Sequence, residues 1–214
     1  EAGIRVTLTW WCAPVRRQLD GAPYWLAYPD VKQWCSAPNN AAECVENVVA
    51  GLQHLIDKRG YSCIDAFTFV NEPDWTFFNN ENKVEFEPYA AICRALHARL
   101  EAVGLRQRLV LDLADASVHN GWLKQSVEAL QGVADRYNSH SYIFSCEDEN
   151  YAQAMRNWAG ERVKTCGKSP FSTNELGTRH YKGAYSVTDL ESFERAFCVA
   201  QYALLGMNEG MTGA

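Results

Sequence analysis

Short apolar runs alternate with amphipathic stretches along nearly the whole of this 214-residue chain, and that alternation restricts the fold more than any single motif does. Parallel strands need a crossover long enough to return to the same edge of a sheet, and a helix supplies it. The runs Ile4–Trp10, Ile64–Val70, Leu109–Leu113, Ala134–Tyr142 and Phe171–Asn174 read as strands, and Gly210-Met211-Thr212-Gly213-Ala214 as the entry to a sixth. Helical spacing connects them. Val45, Val48, Leu52, Leu55 and Ile56 recur from about Ala41 to a stop at Gly60; Pro88 opens a helix with the inward stripe Tyr89, Ile92, Leu96 and Leu100, closed by Gly104. Further stripes are Trp122, Leu123, Val127 and Leu130, then Tyr151, Met155 and Trp158. A Thr188-x-x-Glu191 capping box precedes Leu190, Phe193, Phe197 and Leu204. The expected class is α/β with a parallel sheet.

Composition narrows the partners. With 47% hydrophobic and 21% charged residues the chain can bury one substantial core, so one domain is expected. A net charge of -6 and the lack of a Lys/Arg run argue against nucleic acid, whereas seven Trp suit a neutral polysaccharide. No apolar stretch reaches the roughly 18 to 20 residues of a membrane span. The segment Glu1-Ala2-Gly3-Ile4-Arg5 lacks the regions of a secretory signal and reads as lying inside a domain. Eight cysteines suit an oxidising compartment, so a secreted or extracytoplasmic location is expected. The best-placed disulfides are Cys35 with Cys44 and Cys146 with Cys166, while Cys63, Cys93 and Cys198 read as small buried hydrophobes. No Cys-x-x-Cys or His-Glu-x-x-His spacing occurs, so neither a metal nor a cofactor is expected.

Two glutamates stand where apolar strands run out, Glu72 in Phe-Val-Asn-Glu-Pro and Glu175 in Ser-Thr-Asn-Glu-Leu-Gly, each preceded by an asparagine. A carboxyl pair at a sheet rim fits hydrolysis of a glycosidic bond with retention, which takes a proton donor and a nucleophile roughly 5–5.5 Å apart. Alone, Asn-Glu-Pro reads equally as a strand end before a helix-starting turn. His140 and Tyr142, two apart on a strand, share a face.

These ordered motifs resemble those of the retaining glycoside hydrolases of clan A, the (β/α)8 barrels that include cellulase-like and mannanase-like families. The resemblance implies Glu72, in Asn71-Glu72-Pro73, as acid/base ending the fourth barrel strand, and Glu175, in Asn174-Glu175-Leu176-Gly177, as nucleophile ending the seventh. His140-Ser141-Tyr142 matches the His-x-Tyr of the sixth strand. Asn71 would bind the sugar 2-hydroxyl, Tyr142 would hold the nucleophile, and His140 would lie near the acid or the substrate. The chain would then be a TIM barrel lacking the first two strands and most of the last, with residues 1–214 running from about strand 3 to the start of strand 8. Many relatives carry a histidine at the end of the third strand, where Thr9-Trp10-Trp11 stands here, so the family within the clan is open.

Trp10, Trp11 and Trp75 lie at strand ends, where indoles can stack on a pyranose; adjacent strand residues point oppositely, so only one of Trp10 and Trp11 should face the sugar. Trp25, Trp34, Tyr24 and Tyr28 form either a cleft wall or ordinary loop packing. Asp115 and His119 are rim candidates for substrate contact, and Asp112 has no assigned role. The expected activity is hydrolysis of β-linked oligo- or polysaccharide. The alternatives are a carbohydrate-binding barrel without turnover and a metal-dependent barrel hydrolase.

Overall fold

The computed structural model describes residues 3–15, 24–117, 120–143, 150–178 and 193–213. The capping box, His119 and Cys146 lie outside the described residues. The strands in chain order are β1 (Val6–Trp10), β2 (Ala13–Pro14), β3 (Cys35–Ser36), β4 (Ile64–Phe69), β5 (Val110–Ala116), β6 (Arg136–Ser139), β7 (Ser141–Ile143), β8 (Phe171–Ser172) and β9 (Leu176–Thr178). Five of them form one sheet in the order β1-β4-β5-β6-β8, every neighbour parallel. Sequential strands are therefore spatial neighbours, as in a segment of a (β/α)8 barrel. The parallel pair β7–β9 extends β6 and β8 beyond their first break, and β2–β3 is a small antiparallel ladder beside β1. The sixth strand expected from the sequence has begun: Gly213 bridges Ser172 in parallel, with the Thr212 N–H donating to Phe171 O at 2.7 Å.

Helices α1 (Ala41–Gln53), α2 (Pro73–Thr76), α3 (Phe86–Ala102), α4 (Asn120–Ala129), α5 (Tyr151–Cys166) and α6 (Phe193–Asn208) fill the connections. Asn40 caps α1 by accepting from the Glu43 N–H at 3.2 Å. That helix continues through a π turn, His54–Lys58, before Gly60 takes the left-handed φ of 69° that ends it. The stripe Tyr89, Ile92, Leu96 and Leu100 is buried as its period requires. Tyr89 is fully buried among Phe69, Phe77 and Trp122, and its hydroxyl accepts the Ala114 N–H at 3.1 Å. This aromatic cluster fastens α3 and α4 to the outer face of β4 and β5.

Three sequence expectations are corrected. On α6 the buried side chains are Cys198, Tyr202 and Leu205, while Phe197 and Leu204 are exposed. Both sets follow helical spacing, and periodicity alone does not choose between two apolar stripes on one helix. Cys35 and Cys44 are unbridged: Cys35 Sγ donates to Thr76 O at 3.3 Å, while Cys44 is buried on α1. Cys63 is exposed rather than buried. Among the described residues no helix is long and apolar enough to cross a membrane.

Beneath the rim a polar layer joins β5 to β6. Asp112, fully buried, accepts from Arg136 at 2.5 Å and from Asn138 Nδ2 at 2.9 Å, Asp112 and Arg136 being register partners. Removing one member of a buried charge pair leaves the other uncompensated. Asp112→Ala should therefore lower the unfolding free energy by about 3–5 kcal/mol, measured by urea denaturation; a loss under about 1 kcal/mol, the range of an exposed pair, would show that the layer does not hold the strands.

Candidate active site

β4 leaves the sheet, and β5 bulges before its last pairing, through residues in the left-handed region, Val70 (φ 68°) and Glu72 (49°) on one, Ala114 (85°) and Asp115 (44°) on the other. None is glycine, so each costs on the order of 1–3 kcal/mol unless its surroundings fix it. The surroundings here are specific. The Val70 and Asn71 N–H groups donate to Trp10 O (2.8 Å) and Trp11 O (3.0 Å), carrying the β1–β4 ladder past the end of β4. Thr76 Oγ1 donates to Asn71 O at 2.6 Å and to Glu72 O at 2.8 Å, closing the turn that presents Glu72. The Asp74 carboxylate accepts from Ser117 N (3.0 Å) and Ser117 Oγ (2.8 Å), tying α2 to the end of β5.

The two glutamates meet. One oxygen of Glu72, one of Glu175 and a ring nitrogen of His140 all lie within 4.8 Å of one another. Glu72 Oε1 is 2.7 Å from His140 Nδ1, and Glu72 Oε2 accepts from the Trp75 indole N–H at 2.5 Å. Glu175 Oε2 accepts from the Tyr142 hydroxyl at 2.6 Å and lies 3.4 Å from His140 Nδ1. The backbone holds Glu175 in place: its carbonyl accepts from the Ser141 N–H and from Thr173 Oγ1, both at 2.9 Å. These donor types at this spacing could also hold a divalent cation.

Behind the pair, Asp115 is buried and faces His140 Nε2 at 3.3 Å. It also accepts from the Glu72 backbone N–H and, at 3.3 Å, from Asn174 Nδ2. Burial raises the Asp115 carboxyl above its ordinary range, with His140 opposing. For His140, burial pulls the imidazole down, but Asp115, Glu72 and Glu175 together outweigh it and push it up to about 10. The imidazole is therefore positive at neutral pH, with Nδ1 hydrogen-bonded to Glu72 and Nε2 in ion-pair contact with Asp115.

The structure brings Asn71, Glu72, Trp75, His140, Tyr142 and Glu175 to one rim. Trp10 stands apart: it stacks on Phe69 at 5.2 Å, on the helix-facing side of the sheet. Trp11 is 53% exposed and Trp75 46%. Asp115 is a partner of His140 rather than an exposed rim contact. Sequence reading gave no role to Gly177, yet a Cβ there would lie 2.9 Å from the Tyr142 ring, so glycine lets that ring pass over β9 toward Glu175. The bracing by Asp74, Ser117 and Thr76 was also missed. A capping-type Thr three residues past Pro73 was its sole trace in the sequence.

A parallel β/α segment with paired carboxylates at the C-terminal ends of its strands is the architecture of part of a (β/α)8 barrel, with the pair on the face where such barrels carry their sites. No family model and no curated protein sequence matches the chain. Among solved structures it is similar to a monomeric β-xylosidase from Caulobacter crescentus CB15, with TM-score 0.63 and 13% identity over 98% of this chain and 44% of that one. A GH39 β-xylosidase from Caulobacter crescentus gives TM-score 0.59 and 14% identity over the same shares. The hyperthermostable endo-1,4-β-D-mannanase of Thermotoga petrophila RKU-1 gives 0.54 and 16%, covering 81% of this chain and 52% of that one. The chain thus shares part of the (β/α)8-barrel fold of these structures and spans about half the length of these matches.

The raised His140 pKa gives stability a pH dependence. The folded protein keeps a proton that the unfolded chain releases near 6.5, so the contribution is complete below that pH and is lost as pH rises toward about 10. Across that window stability should fall by at most about 1.4 kcal/mol per pH unit. His140→Gln should flatten this slope in denaturation curves between pH 7 and 10; an unchanged slope would mean the imidazole is neutral.

Proposed function

We propose that the protein hydrolyses β-glycosidic bonds in oligo- or polysaccharides with retention, and that residues 1–214 form part of its catalytic barrel. The observation that carries this reading is the approach of the Glu72 and Glu175 carboxylates to within 4.8 Å, close to the roughly 5–5.5 Å that a covalent glycosyl-enzyme requires. Glu175, aimed by the Tyr142 hydroxyl, attacks the anomeric carbon. Glu72 gives a proton to the leaving oxygen and afterwards takes one from water. His140 Nδ1, 2.7 Å away, fixes the position of Glu72 Oε1, the oxygen that the Trp75 indole does not hold. Once Glu175 is esterified, one negative charge leaves the cluster, so Glu72 ionises more easily and stands as the carboxylate that takes a proton from water.

Asn71, next to the acid in sequence, would contact the sugar 2-hydroxyl, and the exposed faces of Trp11 and Trp75 would offer stacking surface. Trp75 has a second task, since its N–H holds Glu72. This chemistry calls for no cofactor.

The test is hydrolysis of activated aryl β-glycosides by the intact protein, with the first-formed anomer read by proton NMR. Glu72→Gln and Glu175→Gln should each lower kcat by about 10²–10⁴-fold, with a β-glycoside giving the β-product first. Sugar binding without turnover, indifferent to either substitution, would instead identify a carbohydrate-binding barrel. Activity abolished by a chelator would identify a metal-dependent hydrolase.

A further inference from the structure

We propose that Cys12 and Cys35 form a dithiol–disulfide site beside the Glu72 turn, closed and opened by exchange with a small disulfide or thiol. The ladder Ala13↔Ser36 and Pro14↔Cys35 makes Cys12 and Cys35 diagonal neighbours, and alternation puts them on one face of it. Their side chains act on each other's ionisation, while the Cys35 S–H itself is directed to Thr76 O at 3.3 Å. Cys12 is half-buried and reachable, whereas Cys35 is fully buried.

The two sulfurs are chemically unequal. The neighbouring Cys35 side chain holds the Cys12 thiol below the ordinary range despite burial, while the same contact and burial push Cys35 well above it. Cys12 is thus the attacking thiolate and Cys35 the resolving thiol. The Cys12 thiolate attacks one sulfur of the small disulfide, forming a mixed disulfide and releasing one thiolate, which takes up a proton. Cys35 then loses its proton to solvent and attacks Cys12 Sγ, expelling the second small thiol. Two cysteines are oxidised by two electrons, and one small disulfide is reduced to two thiols.

The bond would reach the acid's turn. Cys35 Sγ donates to Thr76 O, and Thr76 Oγ1 in turn holds Asn71 O and Glu72 O, so oxidation removes the only donor that Cys35 can offer that carbonyl. Any effect on turnover rests on the hydrolase reading; formation of the bond does not.

Intact protein incubated with oxidised glutathione, alkylated and digested should yield a Cys12–Cys35 cross-linked peptide two mass units below the sum of its thiols, reversible by dithiothreitol. Thermal denaturation should show Tm higher in the oxidised form by roughly 5–10 °C, and Cys12→Ser should abolish both changes. A stable glutathione adduct on Cys12 with Cys35 still free, a Cys35–Cys44 bond, intermolecular linkage through the exposed Cys63, or full recovery of thiols would each overturn the proposal. None of these readouts involves turnover, so failure here and failure of the hydrolase reading are separate results.

Discussion

The arrangement at the rim depends on one buried imidazole among three carboxylates. Glu72, Asp115 and Glu175 crowd into a small volume, where like charges in a poorly solvated setting repel strongly. His140 compensates them by carrying a proton that burial alone would remove. Its position follows from strand order. Glu72 follows β4, Asp115 ends within β5, His140 follows β6 and Glu175 follows β8, and these four strands are consecutive neighbours. The imidazole reaches back across β5 to Glu72 and forward to Glu175, so a shift in any of three parallel registers would break the contact set.

That register would be of little use if the strand ends were free to relax. Val70 is β-branched and left-handed, a combination that the chain adopts only under constraint. The constraint comes from both sides, the β1 carbonyls accepting its N–H and that of Asn71, and Thr76 gripping the turn from beyond. Gly177 plays the complementary part on β9, where absence of a side chain lets the Tyr142 ring lie against the backbone. One site therefore uses backbone strain at one glutamate and a close approach at the other.

Legibility in the sequence followed the range of the interactions involved. Strand and helix order could be read because each element's apolar period is local, as in Ile64–Phe69 or the Tyr89–Leu100 stripe. Glu72 and Glu175 could be singled out because each is the first polar acid after such a run. Asp115 could not be placed, because alternation along β5 fails where Ala114 and Asp115 turn left-handed, and its burial depends on a histidine on another strand. The α6 face was ambiguous for a different reason: Phe197 and Leu204 compete with Tyr202 and Leu205 for the inward side, and only packing against α5 and β9 decides. The cysteines were beyond reach too, since Cys35 and Cys44 are close in sequence but sit on different elements, Cys35 donating to Thr76 O and Cys44 buried on α1.

The hydrogen-bond partners of the two glutamates differ in a way that favours one assignment of roles. Glu72 has both carboxylate oxygens held, Oε1 by the His140 imidazolium at 2.7 Å and Oε2 by the Trp75 indole N–H at 2.5 Å. Glu175 accepts a short bond from the Tyr142 hydroxyl at 2.6 Å, and its contact to His140 is longer at 3.4 Å. Glu175 is also the more open of the two, its side chain 33% exposed against 14%. A carboxylate that must reach a carbon atom needs that opening, which suits Glu175 to the proposed part of nucleophile, whereas the more enclosed Glu72 suits the proposed part of acid/base.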